Sequence, residues 1–209
     1  MCEVALNHPV YDPRMTTSLR LLCLMVSSFA LAACGGGGSG QSDTETEAQK
    51  VDPRAGYFHA ADSAKLNPPL AKHQAVWREY TQTLDACNKE VSRLLGAGAA
   101  PRAAVKCHFR GVGAIIKSVT AWRATVNELD GDYRAACDKQ IKHFATTLDT
   151  LKAAWQRYRD DWTTFANTKA QPAGMQQHLD TAEKQGRQVV EDEIQALTRA
   201  CYIESDIPK

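Results

Sequence analysis

The sequence carries almost no net charge: 25 Lys+Arg oppose 24 Asp+Glu over 209 residues, giving +1. Without a basic excess there is no electrostatic footprint for nucleic acid, so none is expected as a partner. The same balance argues against a polyanionic or strongly acidic ligand. Chemistry-bearing motifs are missing as well. There is no Cys-x-x-Cys and no Cys-x-x-Cys-His, and Cys107-His108 is an isolated pair without the spacing of a zinc site. No Glu-x-x-His occurs, which excludes the di-iron helical bundles. There is no Gly-x-Ser-x-Gly, and the glycine run Gly35–Gly40 precedes no strand–helix unit that would cradle a phosphate. Glu191, Asp192 and Glu193 read as a solvated helix face. The expectation is a non-enzymatic protein with no catalytic residues, no metal and no cofactor.

What is present begins with an address. Residues 19–33 place Arg20 ahead of a mostly apolar run that is too short to span a bilayer but suits a secretory signal. It ends in Leu31-Ala32-Ala33-Cys34. This stretch resembles the lipobox of bacterial lipoproteins at all four positions: a branched aliphatic residue, two small residues and the cysteine. The resemblance implies that residues 1–33 are a removed signal peptide and that Cys34 carries a lipid (palmitate among its acyl chains) anchoring the mature chain to a membrane. Met15 is the better start, because residues 1–14 hold Glu3, Asp12, Pro9 and Pro13, a poor basic leader. Residue 35 is Gly rather than the Asp associated with inner-membrane retention, which favours the outer membrane in a Gram-negative host. The expected location is the bacterial cell envelope.

Residues 34–67 are rich in Gly, Ser, Thr and acidic residues and read as a flexible linker unable to bury a core. Asn67-Pro68-Pro69 then marks a helix start. From there to residue 205 apolar positions recur at intervals of three and four. The stripes run from Leu70 to Leu94, Val105 to Leu129, Cys137 to Phe165 and Leu179 to Cys201. Nothing alternates with period two, so no strands are expected. In the fourth stripe the inward positions read Leu179, Ala182, Gly186, Val190, Ile194, Leu197 and Cys201. Gly96-Ala97-Gly98, Asp130-Gly131-Asp132 and the stretch 167–174 separate the four segments, although the apolar phase also carries across Gly131 and allows one long rod. Gly111 and Gly113 weaken the second segment. The expected fold is all-α: an antiparallel up-down four-helix bundle behind a disordered tether.

Seven cysteines are an odd number. Cys2 and Cys23 leave with the signal peptide and Cys34 takes the lipid, so Cys87, Cys107, Cys137 and Cys201 remain. In an up-down bundle, Cys87 and Cys107 fall at one end and Cys137 and Cys201 at the other. Real bridges hold their Cα atoms most often about 5.5–6 Å apart, so the topology selects disulfides Cys87–Cys107 and Cys137–Cys201.

The most distinctive segment is Ala154 to Trp162, where Trp155, Arg157, Tyr158, Arg159 and Trp162 form a candidate binding surface, since Trp, Tyr and Arg dominate interface hot spots. The aromatic members also fit the core stripe. Trp155-x-x-Tyr158-Arg159-Asp160 resembles a stretch of the helical family that includes the lysozyme-inhibitor lipoproteins, departing from it where Trp162 stands in place of a following cysteine. That resemblance implies binding of an envelope or secreted protein, as an inhibitor or immunity protein. Two other readings stand beside it. One is a small-ligand carrier with a cavity lined by Trp77, Trp122 and Trp155. The other is a structural spacer, which requires a continuous helix through Gly131.

Overall fold

The structure, a computed structural model, describes residues 54–203. The expected signal peptide, Cys34 and the first part of the expected linker lie outside these residues. Every regular element among them is helical, and together the helices make a bundle with no strand. The elements are α1 (Ala60–Gly96), a short α2 (Pro101–Ala104), α3 (Lys106–Asn127), α4 (Ala135–Thr168), α5 (Met175–Gln188), a π-helical turn (Val189–Glu193) and α6 (Ile194–Cys201). No helix among the described residues is long and apolar enough to cross a membrane.

The first helix starts earlier than Pro68 and Pro69 suggest: both prolines lie inside α1. The start is fixed at His59, whose backbone N–H donates to the Asp62 carboxylate at 2.8 Å, the reciprocal half of a capping box. The other Asp62 oxygen accepts from the Tyr133 hydroxyl at 2.8 Å. The two prolines lack the N–H groups that would meet the carbonyls of Ala64 and Lys65, but both of those residues are exposed, so water can satisfy them. Residues 54–67, expected as linker, are therefore ordered on the bundle.

Asp130-Gly131-Asp132 is a turn, closed by the Tyr133 N–H donating to the Gly131 carbonyl at 3.0 Å. The continuous rod required by a spacer is thus absent. Gly111 does not interrupt α3. Instead it lets α1 approach: a Cβ there would sit 2.4 Å from Tyr80 Cδ2. Gly111→Ala is expected to destabilise the domain by about 1–3 kcal/mol through overpacking. Gly113→Ala is expected to be neutral or slightly stabilising, because nothing lies within 4 Å of its Cβ position. Urea denaturation of the two variants compares them directly.

In the last helix the buried stripe departs from the sequence pattern. After Gly186 the buried positions are Val189, Glu193, Leu197 and Cys201, while Val190 and Ile194 are only half-buried. The π-helical turn re-phases the helix and draws Glu193 inward, so Glu193 is not part of a solvated acidic face. Its carboxylate accepts from Gln140 Nε2 at 3.2 Å and lies 3.2 Å from His143 Nε2.

The core is built around Trp122, Trp155, Tyr80, Phe144, Leu148 and Leu151. α1 packs on α3, α3 on α4, and α4 on α5 and α6. Two disulfides fasten the bundle. Cys87–Cys107 joins α1 to α3 with Cα atoms 5.8 Å apart, and Cys137–Cys201 joins α4 to α6 at 4.7 Å. These are the two pairs that the up-down reasoning selects.

The incoming chain is pinned at the Cys137–Cys201 end. Phe58 N–H donates to the Cys201 carbonyl at 2.7 Å, and Arg134 N–H donates to the Gly56 carbonyl at 2.8 Å. The Arg134 guanidinium donates twice to the Ala200 carbonyl, at 2.9 and 2.8 Å, and once to Tyr57 Oη at 2.6 Å. A cation at this position suits a helix C-terminus. Gly56 has φ +78°, and a Cβ on it would lie 2.8 Å from the Arg134 nitrogen, so this docking requires glycine.

Candidate functional site

The five residues of the aromatic–arginine segment divide between the buried stripe of α4 and its exposed surface. Trp155, Tyr158 and Trp162 are buried, whereas Arg157 and Arg159 are exposed. Neither arginine has an ion-pair partner among the described residues. The aromatics pack edge-on against one another and their neighbours. Trp155 meets Trp77 at 5.4 Å and Tyr80 at 5.8 Å, and Tyr158 meets Trp162 at 6.2 Å between ring centroids. Such T-shaped pairs are the favoured aromatic geometry. The period of three and four residues that places Trp155, Tyr158 and Trp162 on one buried stripe leaves Arg157 and Arg159 outside it, one on each flank, since residues two apart on a helix project about 160° from each other.

A cavity of about 70 Å³ lies under Phe58 and Tyr202 and is bordered by Leu66, Leu70, Trp122 and Phe144. Small-molecule sites span roughly 300–1,000 Å³. Of the three tryptophans expected to line a ligand cavity, only Trp122 borders this one, while Trp77 and Trp155 are spent on each other.

The four histidines inside the helices sit in different settings. His73 is buried against Trp122, and its Nδ1 lies 2.9 Å from Ser118 Oγ. Ser118 donates its one proton to the Ile115 carbonyl at 2.7 Å, which leaves its oxygen to accept from His73 Nδ1–H. His178 meets the Asp161 carboxylate at 2.7 Å and His143 meets Glu193 at 3.2 Å. His108 has no hydrogen-bond partner at either ring nitrogen, and its ring stacks on Trp162 at 3.8 Å. His108 and His178 engage successive residues of α4, Trp162 and Asp161.

Sequence reasoning missed one cluster. Cys87, Cys107 and His108 place their donor atoms within 4.8 Å of one another. The adjacency of Cys107 and His108, combined with the Cys87–Cys107 pairing, was the available signal, but it does not follow the short spacing of familiar metal motifs.

Burial pushes the pKa of both His73 and His108 down to about 4. Burial likewise raises that of the Tyr80 hydroxyl, helped by the facing Tyr158. The two hydroxyls are within electrostatic reach of each other, but Tyr80 Oη is not aligned for a hydrogen bond. Glu183, half-buried nearby, also has its carboxyl raised by burial.

The His73 shift implies acid sensitivity. Its folded pKa of about 4 lies below the unfolded 6.5, so below pH 6.5 the unfolded chain takes up the proton first. Stability contributed by the neutral ring is complete above pH 6.5 and is lost progressively down to about pH 4. The loss is about 3 kcal/mol for a shift of this size. Denaturant midpoints measured between pH 7 and 4.5 should fall, and His73→Gln should flatten the slope. An unchanged slope in that variant assigns the acid loss to other groups.

Comparison with protein-family models, with curated proteins and with solved structures finds no match for this chain. The functional reading therefore rests on the residues and their geometry.

Proposed function

We propose that this protein is a lipid-anchored, non-enzymatic component of the bacterial envelope that binds another protein through the exposed face of α4. Its domain is read as an up-down antiparallel four-helix bundle, and its partner as an envelope or secreted protein such as a cell-wall hydrolase or a toxin. In a Gram-negative host the lipid on Cys34 anchors it to the outer membrane. The observation that carries the reading is the placement of Arg157 and Arg159. Both are exposed without an ion-pair partner among the described residues. They also lie far along α4 from the end where the incoming chain docks on Arg134. At 1.5 Å per residue, Arg157 stands about 35 Å from that end. Both arginines therefore stand clear of the contacts that hold Gly56, Tyr57 and Phe58 on the domain, and a partner can reach them. The packing of Trp77 against Trp155, the two tryptophans expected to line a ligand cavity beside Trp122, supports an outer binding surface over a ligand carrier.

The test uses the full lipidated chain in detergent. Arg157→Glu combined with Arg159→Glu is expected to weaken partner binding by about 2 kcal/mol, roughly thirtyfold in Kd, with thermal unfolding unchanged. For the hydrolase version the readout is residual muramidase activity of a lysozyme titrated with the two proteins. Equal inhibition by both, or equal recovery of cross-linked envelope partners, removes α4 as the binding face. Mass spectrometry of the N-terminal peptide should show a diacylglyceryl thioether on Cys34, and an unmodified cysteine within an uncleaved chain removes the anchor.

A further inference from the structure

Among the described residues one group of three metal-capable side chains converges: Cys87 from α1 with Cys107 and His108 from the start of α3. Two independent features mark the group as more than a bridge. The first is His108 itself. It has no exposed surface and neither ring nitrogen has a hydrogen-bond partner. Buried polar groups are ordinarily satisfied, and an orphan calls for an explanation. His73, His143 and His178 each find a side-chain partner. His108 alone of the helical histidines lacks one, while Trp162 fixes its plane by stacking.

The second is unequal access to the two disulfides. Cys137 and Cys201 are both fully buried, whereas Cys107 is only half-buried. An external dithiol therefore reaches the Cys87–Cys107 bond ahead of the other. The metal-ligating form of cysteine is the thiolate, so the trio becomes a ligand set only when that bond is open.

We propose that reduction of Cys87–Cys107 converts this corner into a site for one Cu(I) ion, held by two thiolates and the imidazole of His108. Soft thiolate donors select Cu(I) or zinc. Structural zinc sites are closed by four protein ligands, and this group supplies three, with no carboxylate in the set. The donor number and softness therefore favour Cu(I). The chemistry balances without an unnamed reactant. An external dithiol delivers two electrons and two protons to the S–S bond and is itself oxidised to a disulfide. Cu(I) then displaces the two thiol protons to solvent and keeps its oxidation state. His108 binds through a lone pair that has no other use in the fold.

The experiment titrates Cu(I) anaerobically into the full chain against a chromophoric Cu(I) chelator, before and after phosphine reduction. The expected result is one tightly held Cu(I) per reduced chain and none per oxidised chain. X-ray absorption should find two sulfur scatterers and one nitrogen. Cys107→Ser should abolish binding, His108→Gln should weaken it at least about tenfold, and Cys137→Ser with Cys201→Ser should leave it intact. The absorption measurement on wild-type protein decides the matter even if His108→Gln folds poorly. A sulfur-only shell, undiminished binding in Cys107→Ser, or reduced protein that retains Zn(II) in preference to Cu(I) overturns the assignment.

Discussion

Replacing Cys137 and Cys201 together by serine is expected to lower stability by roughly 4 kcal/mol and the unfolding temperature by on the order of 10 °C. The bond spans 64 residues of sequence, from the beginning of α4 to the end of α6. Opening it releases a long loop in the unfolded chain, where most of the entropy is gained. The native end of the bundle has other fastenings that outlast the bond. Arg134 still reaches the Ala200 carbonyl, and Phe58 still donates to the Cys201 carbonyl. The folded geometry should therefore persist, and the effect should fall on the unfolded state. Cys87–Cys107 spans 20 residues, for which the same reasoning gives about 3 kcal/mol. Calorimetry of both double-serine variants ranks them. A larger loss from the shorter span would show that native contacts, not loop entropy, set the contribution of each bridge.

That comparison depends on a pairing the sequence makes accessible. Once the three-and-four spacing defines four helical segments, Cys87 and Cys107 flank one connection, while Cys137 and Cys201 open the third segment and close the fourth. What the pattern cannot show is anything fixed by a distant contact. The start of α1 is set by Asp62, which holds the His59 N–H and the Tyr133 hydroxyl at once. Tyr133 is 71 residues away, so the local pair Pro68-Pro69 outweighs the cap when the chain is read alone. Gly111 reads as a weakness because propensity is local, whereas its use is to admit the Tyr80 ring from another helix. The π-helical turn at Val189–Glu193 keeps the sequence apolar enough to resemble an uninterrupted stripe, yet it exchanges Val190 and Ile194 for Val189 and Glu193 as the buried positions. The candidate site divides in the same way. The core placement of Trp155, Tyr158 and Trp162 follows from their spacing. The meeting of Cys87 with His108 needs α1 and α3 already packed together.

Trp155→Ala is expected to cost about 3–5 kcal/mol, a large fraction of the 5–15 kcal/mol that typically separates folded from unfolded domains. Trp155 is fully buried and touches Trp77, Tyr80 and Tyr158 edge-on, so truncation removes the shared wall of three aromatic contacts. Its indole N–H has no hydrogen-bond partner. Phenylalanine therefore forfeits no hydrogen bond and relieves a buried unsatisfied donor, so Trp155→Phe should cost less than about 2 kcal/mol. The pair of variants separates two roles that one tryptophan could hold. A core tryptophan loses stability in the order Ala far more than Phe, and whatever fraction remains folded binds a partner normally. A tryptophan at a binding surface loses affinity in both variants while unfolding stays near wild type. Guanidinium denaturation followed by binding measurements on the folded fraction reads both outcomes. The full burial of Trp155, set against the exposure of Arg157 two residues on, makes the first outcome the expected one.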